Sequence, residues 1–221
     1  MSPRHHLDPA TVVSHAAGAL SPEVSAIVAI HLEACAACRD AIARAERVGG
    51  MLVEQQHPGV DEPRHQQLRA DILARLANAG APQPAPAAAK APMERDRLPA
   101  SLHPYFGDSY RVLKWRWMGP GMHYIRALGP SGGTLLMLRI GAGRRMPVHG
   151  HGGTEITQVL RGAYDDALGH FAAGDVADLD ADTEHQPVTS PGEPCICVAA
   201  LDAPLRFPGW FARKLQPLFG I

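Results

Sequence analysis

The sequence has little of what marks a membrane-spanning, secreted or nucleic-acid-coating protein. No stretch approaches the ~20 consecutive apolar residues needed to cross a bilayer. Four cysteines in 221 residues do not make a disulfide scaffold. Aromatics are 5% of the chain, which disfavours modules that bind nucleic acid by base stacking. Neither charge sign prevails: 21 Lys plus Arg stand against 22 Asp plus Glu, for a net charge of −1, where a general nucleic-acid binder shows a basic excess. Met1-Ser2-Pro3-Arg4-His5-His6 is polar, and no apolar run of signal-peptide type follows it. The expectation is a cytoplasmic chain whose cysteines are thiols or metal ligands.

What is present is a core's worth of apolar residues (46%), an excess of glycine and proline, and twelve histidines. At roughly 150 residues per domain the length suits one large domain or two small ones. The division falls at Ala81–Pro92, where ten of twelve residues are Ala or Pro and the chain reads as a semi-rigid spacer. Before it the pattern is helical. Asp8-Pro9 opens a short helix that Gly18 stops, and Ser21-Pro22 opens a second with Val24, Ile27, Val28 and His31 at helical spacing. Asp40 starts a third, with Ile42, Ala45 and Val48, that ends at Gly49-Gly50. Glu62-Pro63 opens a fourth, on which Leu68, Ile72, Leu73 and Leu76 form a narrow stripe. After the spacer, short strand-like runs (Tyr110–Trp117, His123–Leu128, Gly133–Ile140, Glu155–Leu160, Cys195–Leu201) alternate with Gly/Pro turns, the pattern of a β-sandwich or barrel. The reading is an α+β chain of two domains: residues 1–80 helical, 81–100 linker, 101–221 all-β.

Two groups of residues carry chemistry. The first is His31-x3-Cys35-x2-Cys38. On one helix at ~100° per residue these positions fall within about 60° of each other, and two thiolates with an imidazole suit tetrahedral zinc. A fourth ligand is open among His5, His6 and His15. The alternatives are buried packing thiols or a redox dithiol, but a redox pair wants a helix N-terminus after its first cysteine. This half of the chain resembles the zinc-binding anti-sigma domain, whose members bind sigma factors of the extracytoplasmic-function type and keep them off core RNA polymerase. The resemblance implies that His6, His31, Cys35 and Cys38 hold Zn²⁺, with His5 the rival for the first place. The stripe on the fourth helix fits the helix-in-groove mode of partner binding.

The second group is Gly143-x5-His149-x-His151-x3-Glu155-x6-Gly162, followed by Gly174-x10-His185. Two histidines two apart on a strand share a face. Gly152-Gly153 lets the chain turn so that Glu155 faces the same interior, and His185 arrives from another strand. Three imidazoles and a carboxylate accept Zn²⁺, Mn²⁺, Fe²⁺ or Ni²⁺. The spacing resembles the first motif of the cupin superfamily at every defined position and the second in spacing only, since Asp180, Asp182 and Thr189 replace its Pro, Gly and Asn. The resemblance implies a small cupin barrel over roughly residues 105–205, with His149, His151, Glu155 and His185 as metal ligands. Cys195 and Cys197 fall on one side of a strand, either as packing residues of the interior or as oxidation targets near the metal.

Together the two halves resemble the ChrR family of anti-sigma factors over nearly the whole chain. That resemblance implies a non-enzymatic regulator that forms a 1:1 complex with a sigma-E type factor. It also implies release in response to an oxidative signal such as singlet oxygen, sensed through the cupin half. The rival reading is a metal-dependent cupin dioxygenase with a helical regulatory arm, although no general acid or base stands out beyond Glu155. Direct nucleic-acid binding is disfavoured: residues 1–80 hold 7 Arg and no Lys against 9 acidic residues.

Overall fold

The structure is a computed structural model and describes residues 2–56, 59, 62–79, 96–201, 203–206 and 208. The spacer Ala81–Pro92 and all but Pro208 of the C-terminal stretch 207–221 lie outside the described residues. The chain groups into two compact units, residues 1–49 with 96–221, and residues 50–95.

Helices α1 (Pro9–Ala16) and α2 (Pro22–Ala34) begin where the sequence signals them. The Asp8 side chain accepts from the Ala10 amide and the Ser21 side chain from the Val24 amide, and each cap is followed directly by proline, whose missing N–H costs nothing at a first helical position. The third helix departs from expectation at both ends. α3 runs Ala36–Glu54, starting four residues before Asp40 and continuing through Gly49-Gly50. Neither of those glycines takes a positive φ, and about 1 kcal/mol each relative to alanine does not halt a nineteen-residue helix. α4 spans Glu62–Asn78. A fifth helix, the single turn α5 (His103–Phe106), follows the spacer region, so the described helices number five where the sequence reading gave four.

The β half consists of β1 (Arg116–Gly119), β2 (Met122–Leu128), β3 (Thr134–Ile140), β4 (Gly150–His151), β5 (Glu155–Arg161), β6 (Ala163–Asp166), β7 (Gly169–Ala172), β8 (Val176–Leu179), β9 (Val188–Thr189), β10 (Cys195–Leu201) and β11 (Leu205–Arg206). The expected strand Tyr110–Trp117 is a strand only from Arg116; Tyr110, Leu113 and Trp115 instead pack onto the core as a covering segment. All pairings are antiparallel. A six-stranded sheet in the order β1-β2-β3-β10-β5-β8 faces a three-stranded sheet, β7-β6-β9, and a two-stranded one, β11-β4. The anticipated barrel is therefore not closed by hydrogen bonds among the described residues. The smaller strands are two to four residues long, and Pro147, Pro187, Pro194 and Pro204 interrupt the connections between ladders, where proline has no N–H to give.

The large sheet is covered on both faces. On one face Leu135, Met137, Ile156, Ile196, Val198 and Ala200 share a core with Ile27, Val28 and Ile30 of α2 and with Leu98, Leu102 and Phe106. On the other, Leu136, Leu138, Ile140, Cys197 and Leu201 form the interior of the cupin-like half. β10 is buried at every position, which explains why Cys195–Leu201 is a continuous apolar run rather than an alternating one. The Glu23 carboxylate, in the first turn of α2, is buried in the β2–β3 turn and accepts hydrogen bonds from the Ser131 hydroxyl and amide.

Candidate metal centres

Cys35 is the residue at which α2 stops. Its backbone is extended (φ −106°, ψ 104°), and Cys38 lies in the first turn of α3. The single helix face expected to carry His31, Cys35 and Cys38 is thus a break between two helices, and the break turns both thiols back toward the end of α2. His31 Nε2 lies 3.3 Å from Cys38 Sγ, and the Cys38 amide donates to Cys35 Sγ at 3.4 Å. His6 Nδ1 is 3.2 Å from Cys35 Sγ and 3.7 Å from Cys38 Sγ. One donor atom from each of the four lies within 4.8 Å of the others. His5 is turned away: its ring stacks on Phe171 at 3.9 Å and its Nε2 meets the His170 carbonyl at 3.0 Å. His15 is not in the group.

The electrostatics suit a neutral imidazole beside two thiols. Burial lowers the His31 pKa against the opposing pull of the Gly174 carbonyl. Nδ1–H donates to that carbonyl at 3.1 Å, which leaves the Nε2 lone pair aimed at the sulfurs. Burial raises the Cys38 thiol, so loading a cation here displaces protons. Two sulfurs and two imidazoles, three of the four residues buried, are the donor set and number that fit Zn²⁺.

The second group gathers inside the cupin-like half. His149 and His185 pair through their backbones, each amide donating to the other's carbonyl at 3.1 and 2.9 Å. His151 follows on β4 and Glu155 opens β5. The three rings lie with centroids 4.5 to 5.6 Å apart, and one nitrogen of each falls within 4.8 Å of the others. Glu155 is buried with Oε2 3.2 Å from His151 Nε2, and its Oε1 accepts from Thr157 Oγ1 at 2.8 Å. It touches the cluster through His151 without belonging to the tight triplet.

Hydrogen bonding fixes the tautomers. His149 Nδ1 donates to the Pro147 carbonyl at 2.9 Å and His185 Nδ1 to Asp166 Oδ2 at 2.9 Å. Burial works to raise the Asp166 carboxyl, but the bonds from His185 and the Leu168 and Gly169 amides outweigh it and hold it below the usual aspartate range. The two Nε2 atoms face each other at 3.1 Å, close enough to share a proton or to bind one cation together. Both ring nitrogens of His151 are buried and hydrogen-bonded to nothing among the described residues, since the Glu155 contact lacks hydrogen-bond alignment. A buried imidazole left in that condition costs free energy, and a metal ion removes the cost. These residues fit a metal on their own chemistry. The cavity beside them is lined by Tyr164, Cys195 and Cys197; the contact with Cys195, and then burial, raise the Cys197 thiol.

The residues that orient the ligands escaped the sequence reading: Asp166 behind His185, Thr157 behind Glu155, the Gly174 carbonyl behind His31. Asp166 follows a β-turn glycine, Gly162, by four residues, and nothing in that spacing points to His185, nineteen residues on.

Residues 109–203 match the family model of the ChrR cupin-like domain. The chain is 39% identical to the anti-sigma-E factor ChrR of Cereibacter sphaeroides, over the full length of both. Its fold resembles that of a chain in the crystal structure of Rhodobacter sphaeroides SigE in complex with the anti-sigma ChrR, with TM-score 0.72 and 33% identity over 91% of this chain and all of the other.

Proposed function

This chain belongs to the ChrR family of anti-sigma factors, and from that premise we propose that it sequesters a sigma-E type factor from RNA polymerase in a 1:1 complex. Residues 1–80 form the sigma-binding segment in this reading, residues 101–221 the cupin-like sensor, and 81–100 the link between them. The observation that carries it is the surface of α4. Leu68, Ile72, Leu73 and Leu76 are 52–64% exposed on a helix with no buried residue, and α3 ends in exposed Val48, Met51, Leu52 and Val53. Apolar side chains gathered this way on otherwise polar helices are suited to burial against a partner.

The N-terminal group, His6, His31, Cys35 and Cys38, would hold Zn²⁺ and lock α2 to α3, a contribution of folding free energy that a thin helical unit needs. His149, His151, His185 and Glu155 would hold a second ion, Zn²⁺, Mn²⁺, Fe²⁺ or Ni²⁺. Imidazole, thiol and phenol groups meet around that cavity, and oxidisable groups of this kind support a role in receiving an oxidative signal, singlet oxygen among them, that releases the sigma factor. Such a signal acts only through a difference in its effect on the bound and free states. No helix among the described residues is long and apolar enough to cross a membrane; a cytoplasmic location belongs to this proposal. No enzymatic role is assigned: in this reading the buried Glu155 carboxylate is a metal ligand that also accepts from Thr157.

The test is a competition assay. Zinc-loaded protein added to sigma factor and core polymerase should abolish holoenzyme formation at a 1:1 ratio. Turnover of an O₂-dependent substrate by a chain that leaves holoenzyme intact would favour the dioxygenase reading.

A further inference from the structure

His6 lies on a segment that has no regular structure of its own. Residues 4–8 precede α1, and the His6 side chain is exposed. The segment is held by the cupin-like half. The amides of Arg4 and His5 both donate to Asp175 Oδ1, at 2.5 and 3.0 Å, and the Asp8 amide donates to Asp178 Oδ2 at 2.9 Å. Leu7, between the two attachments, is buried in the shared core. Two carboxylates three residues apart therefore clasp the chain on either side of His6. The second oxygen of Asp175 accepts from the Ala172 amide at 2.9 Å, so that clasp is itself fixed. The adjoining Gly174 carbonyl orients His31. Two of the four donors in the N-terminal group thus take their positions from the β7–β8 turn.

That turn is hung on β5. The Gly174 amide donates to the Val159 carbonyl and the Val159 amide to the Asp175 carbonyl, both at 3.0 Å. β5 begins at Glu155, and β8 pairs with it from Glu155 to Gln158. A second connection runs through rings: His5 on Phe171 at 3.9 Å, and Phe171 on Tyr164 at 4.9 Å, with Tyr164 in the wall of the cavity that His149 and His185 also line.

We propose that the β7–β8 turn is a working part of the N-terminal metal centre, with Asp175 and Asp178 as positioning residues for His6, so that a displacement of β5 and β8 from within the cavity loosens the hold on zinc. This rests on the reading that His6, His31, Cys35 and Cys38 bind that ion. Residues that orient metal ligands typically contribute 10–100-fold in affinity, and the clasp gives the cupin-like half direct leverage on the ion that joins α2 to α3.

The experiment is stopped-flow transfer of zinc from the full chain to a chromophoric chelator. Asp175→Ala and Asp178→Ala should each release the N-terminal zinc roughly 10–100-fold faster than the parent protein. Asp175→Asn, which keeps one acceptor oxygen, should fall between. His5→Ala removes the ring on Phe171 and its contact with the His170 carbonyl while leaving the backbone clasp on Asp175 in place, and should accelerate release to a smaller degree. Asp180→Ala, whose carboxylate serves only its own turn at Thr183 and Asp182, should release at the parent rate. If Asp175→Ala fails to fold, Asp178→Ala and His5→Ala decide. Parent-like release from those variants overturns the inference while leaving the zinc site standing. A parent protein whose zinc content is unchanged by Cys35→Ser and Cys38→Ser overturns the underlying site instead.

Discussion

Replacing Gly129 with alanine should break the attachment of α2 to the β2–β3 turn. A Cβ at Gly129 would sit 1.5 Å from Glu23 Oε1 and 2.3 Å from its Cδ, and one at Gly133 would sit 2.8 Å from Oε2. The carboxylate occupies the space those two glycines leave, so the added methyl must expel it. What is lost is a buried carboxylate's bonds from the Ser131 hydroxyl and amide, and hydrogen bonds to a charged group contribute roughly 1.5–3 kcal/mol. At about 2–4 °C per kcal/mol for a chain of this size, Gly129→Ala should lower Tm by about 3–12 °C. Glu23→Ala should cost a similar amount, and the double variant no more than either alone, because the two substitutions remove one interaction. Burial works to raise the Glu23 carboxyl, but hydrogen bonds from Ser131, its own backbone amide and Ser21 together hold it below the usual glutamate value. A depressed carboxyl stabilises above the unfolded-state pKa, and the contribution disappears as pH falls through the lower folded value. The gap between parent and Glu23→Gln should therefore be full at neutral pH and close in acid. Urea denaturation across pH measures all of this. Additive single effects, or a neutral Gly129→Ala, would refute the reasoning.

Metal analysis of the full chain should give about two ions per molecule, falling to one in Cys35→Ser/Cys38→Ser; an unchanged count would contradict the N-terminal site. His149→Ala and Glu155→Ala should lower the remaining metal while sigma-factor binding stays intact, and a loss of sigma binding by isothermal titration would contradict that separation. Leu68→Ala, Ile72→Ala and Leu76→Ala, at positions 52%, 55% and 64% exposed, should each change stability by less than about 0.5 kcal/mol. On the sigma factor each should lose about half the burial of three methylene groups, about 1.2 kcal/mol at ~0.8 kcal/mol per group, or roughly eightfold in Kd. A triple variant that binds within twofold of the parent by surface plasmon resonance would exclude the stripe from the interface.

The parts of the fold that local chemistry dictates were legible in the sequence. Asp8-Pro9 and Ser21-Pro22 marked α1 and α2 because a capping oxygen and a proline act within one turn. The runs from His123, Gly133, Glu155 and Cys195 marked β2, β3, β5 and β10. His31, Cys35 and Cys38 come together across a helix break that a 100° wheel cannot represent; His6, whose place the spacing left open among three histidines, joins them from the N-terminal segment, and His149, His151 and His185 also lie together. The covering segment at Tyr110–Trp115 reads as a strand in sequence because its partly buried Tyr110, Leu113 and Trp115 are interspersed with exposed residues, as on a half-buried strand. The docking of α2 on the large sheet was not read, because it depends on contacts such as Glu23 with Ser131, 108 residues apart. The all-apolar β10 was the available signal, since a strand buried on both faces requires a second layer.

The central claim is that the helical segment captures a sigma-E type factor. Titration calorimetry of zinc-loaded full chain into that factor, followed by challenge with core RNA polymerase, tests it most directly. The expected result is a 1:1 complex from which the polymerase recovers no sigma factor. A titration without heat, or a polymerase that still takes up the sigma factor in the presence of an equimolar amount of this protein, would contradict it.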